Sequence, residues 1–224
     1  MSKENNTAVA DTQVAEVAAN NTSLSTQSHS AIQIDAEDID IPRINVTQKM
    51  SQIDAPIGSI VVNKTDVVAV ADQPIEVIVV SAQKGWRQDV PFEEDIVPQI
   101  AWTKQRADEI ALDSEYALVE FAEITMLIKQ PEDNTNDDAF PFPIGDSNYA
   151  LGRINVSKNA YRSTYKCLAT FAAFNKGVPL SGRIWTLKSS SMSKGKYSWF
   201  SPSLTITKNA PDAEVADFLA GFGG

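Results

Sequence analysis

Only one stretch of this chain, residues 157–175, can run as a helix of about five turns. Nearly every other apolar stretch is a short run of β-branched residues that stops at Pro or Gly, and this punctuation predicts a mainly β fold with one or two helices. Ile75, Val77, Ile78, Val79 and Val80 open a strand, IEVIVVSAQKGWRQ, that turns polar towards Gly85. An earlier strand is expected over residues 58–63, and a long one, with room for a bulge, over residues 115–129. Another is expected over residues 148–156. Thr103 is placed to cap a short helix over residues 103–112, where Ala107, Ile110 and Ala111 fall at helical spacing. The acidic stretch PEDNTNDDAFPFPIGD reads as loop throughout, because Pro131, Pro141, Pro143 and Gly145 interrupt it.

After the long helix, capped by Ser157 and closed by Gly177-Val178-Pro179, LSGRIWTLKSS and YSWFSPSLTIT form a hairpin joined through SMSKGK with its turn at Gly195. Three or four strands, a helix and a final hairpin are the order of an OB-like five-stranded barrel, which takes oligonucleotides on its second and third strands and its first and last hairpin loops. The barrel is expected over residues 39–208. Residues 1–38, rich in Asn, Thr, Ser, Ala and Gln and free of aromatic residues, read as a disordered low-complexity arm. Residues 209–224 read as a flexible acidic and apolar tail.

Charge is distributed unevenly over this plan. Residues 147–211 contain no Asp or Glu but hold ten Lys or Arg and nine of the eighteen aromatic residues, so this segment carries +10 in a chain of net charge −10. Cations neutralise phosphates and flat rings stack on unpaired bases, so such a composition suits a single-stranded nucleic acid. The competing reading makes the rings ordinary core residues. Catalytic classes are restricted at the same time. The only histidine, His29, lies in the low-complexity arm, and the only cysteine, Cys167, lies in the helix, which leaves no Ser-His-Asp or Cys-His machinery. There is no P-loop, dinucleotide fingerprint or Cys/His zinc set. Carboxylates between Glu93 and Glu123 leave a magnesium site open on paper, but a solvated face is the simpler reading. The expectation is a non-enzymatic protein without cofactor or metal. No apolar run has signal-peptide length or the roughly 18 residues of a membrane span, so a soluble, intracellular protein is expected.

The candidate nucleic-acid residues fall in three groups. The final hairpin offers Arg183, Trp185, Lys188, Lys194, Lys196, Tyr197 and Trp199; alternation puts Arg183, Trp185 and Leu187 on one face and Tyr197, Trp199 and Ser201 on one face. Trp185 and Trp199 each read equally as stacking platform or as core. Lys84, Trp86 and Arg87 follow the strand IEVIVV, where a ring between two cations suits a base between phosphate contacts. Arg153, Lys158, Arg162 and Lys166 extend the positive track along the helix or form its solvent face. In the tail, Asp212, Glu214, Asp217, Phe218 and Phe222 are candidates for docking a partner protein; a terminal helical turn closing over the core is the alternative.

The segments IDIPRINVTQKMSQ and IGSIVVN, then IEVIVVSAQKGWRQ, GRINVSKNAYRSTYKCLATF and IWTLKSSSMSKGKYSWF, together resemble a family of bacteriophage-encoded single-stranded DNA-binding proteins over most of residues 39–207. The resemblance is one of pattern and order and transfers no residue-level roles. It implies an OB-fold module that coats single strands during phage replication and recombination in the host cytoplasm, and that recruits replication or recombination proteins through its tail. The tail departs from the common bacterial pattern, with three acids and a Gly223-Gly224 end. The alternative is a structural or interaction protein, a virion or replisome component, whose basic segment docks an acidic partner such as a second copy in a homo-oligomer. DNA against RNA stays open at this stage.

Overall fold

A computed structural model describes residues 40–91 and 93–221; the expectations for residues 1–38 and for Phe222 lie outside the described residues. Three short strands come first: β1 (Ile44–Val46), β2 (Ile60–Val62) and β3 (Asp66–Ala69). They are followed by β4 (Ile75–Gln88), β5 (Ile100–Ala101), helix α1 (Lys104–Asp113), β6 (Leu118–Lys129), β7 (Phe142–Ile144) and β8 (Ser147–Ser157). Helices α2 (Lys158–Ser163) and α3 (Tyr165–Phe174), strands β9 (Ile184–Lys194) and β10 (Tyr197–Ile206), and helix α4 (Ala213–Ala220) complete the described chain. The protein is mainly β, with a curled antiparallel sheet and few helices. No helix among the described residues is long and apolar enough to cross a membrane.

The large sheet has the order β10-β9-β4-β6-β8-β7, with β5 paired to the far end of β4, and β1, β2 and β3 form a second, smaller sheet. Strand β4 reaches so many neighbours because of its length and a register shift between Val79 and Ser81. The extra residue lets Ala82 rejoin Ile75, Val77 and Val79 in the core despite the break in alternation. Against these pack Ile124, Met126 and Ile128 of β6, Ile154 and Val156 of β8, and Trp185 and Leu187 of β9. The small sheet covers them with Ile60, Val62 and Val68, and the helices with Tyr161, Leu168 and Phe171.

The N-terminal strand fills the space between β8 and β10. Arg153 N–H donates to Pro42 O at 2.8 Å, and Arg43 forms a parallel bridge with Arg153. On the other side the Gln48 side chain behaves like a strand: its Nε2 donates to Phe200 O at 2.8 Å while its Oε1 accepts from Phe200 N–H at 2.8 Å. Close approach is required at both contacts. A Cβ on Gly152 would lie 2.5 Å from Ile44 Cγ1, and one on Gly58, where φ is +84°, 2.5 Å from Phe200 Cε1.

Five details correct the sequence reading. The long helix is interrupted at Thr164 (φ −120°, ψ −79°), where the Thr164 hydroxyl donates back to Ala160 O at 2.6 Å and so competes with the helical ladder. Ser157 occupies the cap position without a capping side-chain bond. The acidic loop contains a 3-10 turn, Asp137–Ala139, and strand β7, which tolerates Pro143 because it lies at the sheet edge. The segment expected as a flexible C-terminal tail carries α4, whose Val215 is 2% exposed and packs with Ile78, Leu127, Ile144, Tyr149 and Leu151. Strand β9 also starts later than expected, at Ile184, after a 3-10 turn over Leu180–Gly182.

Substituting Gly152→Ala should lower stability by about 1–3 kcal/mol, as overpacking does. Gly182→Ala, whose new Cβ would have its nearest contact at 3.5 Å, should be close to neutral. Denaturant midpoints of the two variants check this.

Candidate nucleic-acid interface

The ten cations of the acid-free segment divide into two sets. Three are held by carboxylates from outside the segment: Arg153 by Glu123 at 3.2 Å, Lys158 by Asp89 at 2.9 Å and Lys188 by Asp72 at 3.2 Å. For the other seven, Arg162, Lys166, Lys176, Arg183, Lys194, Lys196 and Lys208, no carboxylate of the described residues lies within ion-pair distance. Their positive charge is not neutralised by an ion pair among the described residues.

Part of this set lies on an arm. Strand β4 pairs with β9 only as far as Leu187, whereas β9 and β10 remain paired to Lys194 and Tyr197, so among the described residues the hairpin end has no strand neighbour on the β4 side. Residues 191–198 are exposed on both faces. Gly195, at φ +61°, supplies the left-handed turn position. Cross-strand pairing sets Met192 opposite Trp199 and Lys194 opposite Tyr197, which puts two rings, a thioether and an ammonium on one face. Tyr197 is 66% exposed, Met192 is 42% exposed, and Lys196 Nζ stands 5.5 Å from the Tyr197 ring centroid. The root of the arm is fixed by Asp72, which accepts from Ser190 Oγ at 3.0 Å and from Lys188, and whose backbone N–H reaches Ser189 O at 2.8 Å. The Ser190 hydrogen bond first, then Lys188, holds the Asp72 carboxyl below its ordinary value.

Four more of the set surround an open cleft of about 770 Å³ between the two helices and the end of β10; Lys176 is not among its lining residues. Arg162 and Lys166 come from the helices, and Arg183 and Lys208 from the segments before β9 and after β10. Phe174, 85% exposed, and Ile206 supply apolar lining. Cys167 also lines the cleft, and burial pushes its thiol above the ordinary value, which favours the protonated form. Comparison with protein-family models, curated proteins and solved structures gives no match.

Trp185 requires a correction. It is fully buried at the base of this cleft, with its Nε1–H donating to Leu180 O at 3.0 Å and its ring edge-on to Phe171 at 5.3 Å. A ring with no exposed face cannot stack on a base. Lys84, Trp86 and Arg87 are knit into the protein: Lys84 pairs with Glu120 and sits 4.8 Å from the Trp86 ring centroid, and Trp86 packs with Ala101, Ala107 and Ile110. The Glu120 hydrogen bond, as the largest influence, raises the Lys84 pKa. Arg87 is half-buried, and its Nε is buried without a hydrogen-bond partner among the described residues. On α4, Asp212, Glu214 and Asp217 are exposed, whereas Phe218 is partly buried 6.4 Å from Phe142. Among the described residues no three His, Cys, Asp or Glu side chains gather as a metal cradle.

Sequence reasoning missed Phe174 and Lys208. Phe174 was detectable as a large ring off the apolar stripe formed by Tyr161, Tyr165 and Leu168. Lys208 follows the last strand and carries no comparable local signal.

Truncation should separate core from surface. Trp185→Ala is expected to cost about 3–5 kcal/mol of stability. Tyr197→Ala should change it by less than about 0.5 kcal/mol. Urea titrations followed by circular dichroism check both.

Proposed function

We propose that this protein is a non-enzymatic binder of single-stranded DNA with little sequence preference, a coat for exposed strands in phage replication or recombination. The observation that carries the reading is the arm: two rings, Met192 and two lysines project together, with no carboxylate paired to either lysine among the described residues. Rings on an exposed ribbon stack on bases whose faces are open, and a duplex keeps those faces covered. The lysines add the phosphate attraction that any strand provides.

The sheet order supports the same reading. Taking β4, β6 and β8 as the first three strands and β9 and β10 as the last two, the order is 5-4-1-2-3 with helices between the third and fourth, as in an OB-fold barrel. An OB barrel closes by joining its third and fifth strands; here β1 and Gln48 stand between them. The exposed carboxylates of α4 suit a role in recruiting replication or recombination proteins, as the family resemblance implies.

The test is a titration with a fluorescent 30-nucleotide DNA strand, the matching RNA and the matching duplex, at low and moderate salt without metal. The expected result is a preference for single-stranded DNA, with log K falling by roughly 0.7 per neutralised phosphate for each unit of log salt. Combined Lys194→Ala, Lys196→Ala and Tyr197→Ala should weaken binding by at least about tenfold, since one stacked base is worth roughly 1–3 kcal/mol. Equal affinity for duplex, or an arm variant with unchanged affinity, overturns the proposal.

A further inference from the structure

We infer that a bound strand follows β10, passing outside the Gln48 and Ser163 contacts on its edge, from the hairpin arm into the cleft beside α2 and α3, instead of crossing the outer face of β6 and β8. This rests on the single-strand reading above and specifies its route.

The outer face of the sheet is poorly suited to a polyanion. Its Arg153 is paired with Glu123, and its Lys129 lies 3.7 Å from Glu76. Helix α4 covers Leu127, Tyr149 and Leu151 and brings Asp212, Glu214 and Asp217 to that side. Three carboxylates beside two neutralised cations repel a phosphate backbone.

The edge of β10 offers the opposite. At one end stand Lys194, Lys196 and Tyr197; at the other, Arg162, Lys166, Arg183 and Lys208 surround the cleft, with no carboxylate among its described lining residues. The exposed Phe174 ring and the Ile206 side chain give the cleft an apolar surface on which one base can lie while its phosphates meet the surrounding cations. Strand β10 links the two ends, with Tyr197 and Trp199 on one of its faces and Ile206 on the other, so the path turns round its edge. Tyr197–Ile206 is ten residues long, about 33 Å at the usual rise. At roughly 3.4 Å per stacked nucleotide, about ten nucleotides join the two contacts, and fewer if the strand is stretched. Short oligonucleotides therefore reach one contact, and longer ones reach both.

The full chain is titrated with fluorescent oligothymidylates of 5 and 15 nucleotides. The cleft variant combines Arg162→Ala, Lys166→Ala and Lys208→Ala, all exposed positions; the arm variant is the one described above. Unsubstituted protein should bind the 15-mer at least about tenfold more tightly than the 5-mer, beyond the gain from extra registers. The cleft variant should lose that gain and lower the salt slope for the 15-mer by roughly 2, at roughly 0.7 per cation removed. Phe174→Ala, which leaves every charge in place, should also weaken the 15-mer, and it supplies the test if the triple variant misfolds. If the cleft variants keep the full length gain while the arm variant loses affinity, the route is wrong and the single-strand reading stands. If neither set changes binding at either length, the single-strand reading itself falls. Capture of a polyglutamate peptide by the cleft, with no length effect on oligonucleotides, would make it a protein-docking groove and overturn the inference.

Discussion

The fold depends on the register shift in β4. Fourteen residues of uninterrupted alternation would send one row of side chains to a single face along the whole strand, and the IEVIVV half and the AQKGWRQ half do not share a phase. The extra residue at Val79–Ser81 reconciles them. The first half can then pair with β9 and the second with β5, while β6 runs alongside nearly all of it. A bulge also increases local twist, consistent with the sheet curling around the core that Trp185 fills.

What could be read from the sequence follows how local each signal is. Strands β4, β6 and β8, the Thr103-capped helix and the Gly195 hairpin are encoded by short-range periodicity and turn chemistry, and the expected positions lie close to those observed. Strands β1 and β3, of three and four residues, form because β2 is available between them, and no window of sequence contains that fact. The break at Thr164 was legible in principle, since adjacent Ser and Thr in a helix invite back-bonding, but the Ser163 hydroxyl bond to Pro202 O at 2.7 Å is tertiary. Trp185 and Trp199 illustrate the limit most clearly. Each sits in an alternating strand near a cation, and only the placement of the helices puts one in the core and leaves the other half-exposed on the arm.

Charge segregation along the chain is also only partly preserved in space. Asp72, Asp89 and Glu123 all come from outside the acid-free segment, and each neutralises one of its cations. Counting charge along the sequence therefore overstates the positive field at Arg153, Lys158 and Lys188. It gives the right sign at the arm and the cleft, where no carboxylate of the described residues pairs with the cations.

The pairing of Gln48 with Phe200 bears on how copies of this molecule behave when crowded together. Strand β10 ends the large sheet, and an uncovered terminal strand is a template on which another chain can add. At Phe200 both outward backbone groups are already bonded to one amide side chain; at Pro202 there is no N–H to offer, and the carbonyl accepts from Ser163. A side chain in the place of a strand leaves no new edge behind it. Around Phe200 and Pro202, a second copy of the chain thus finds no free backbone groups on which to add a strand.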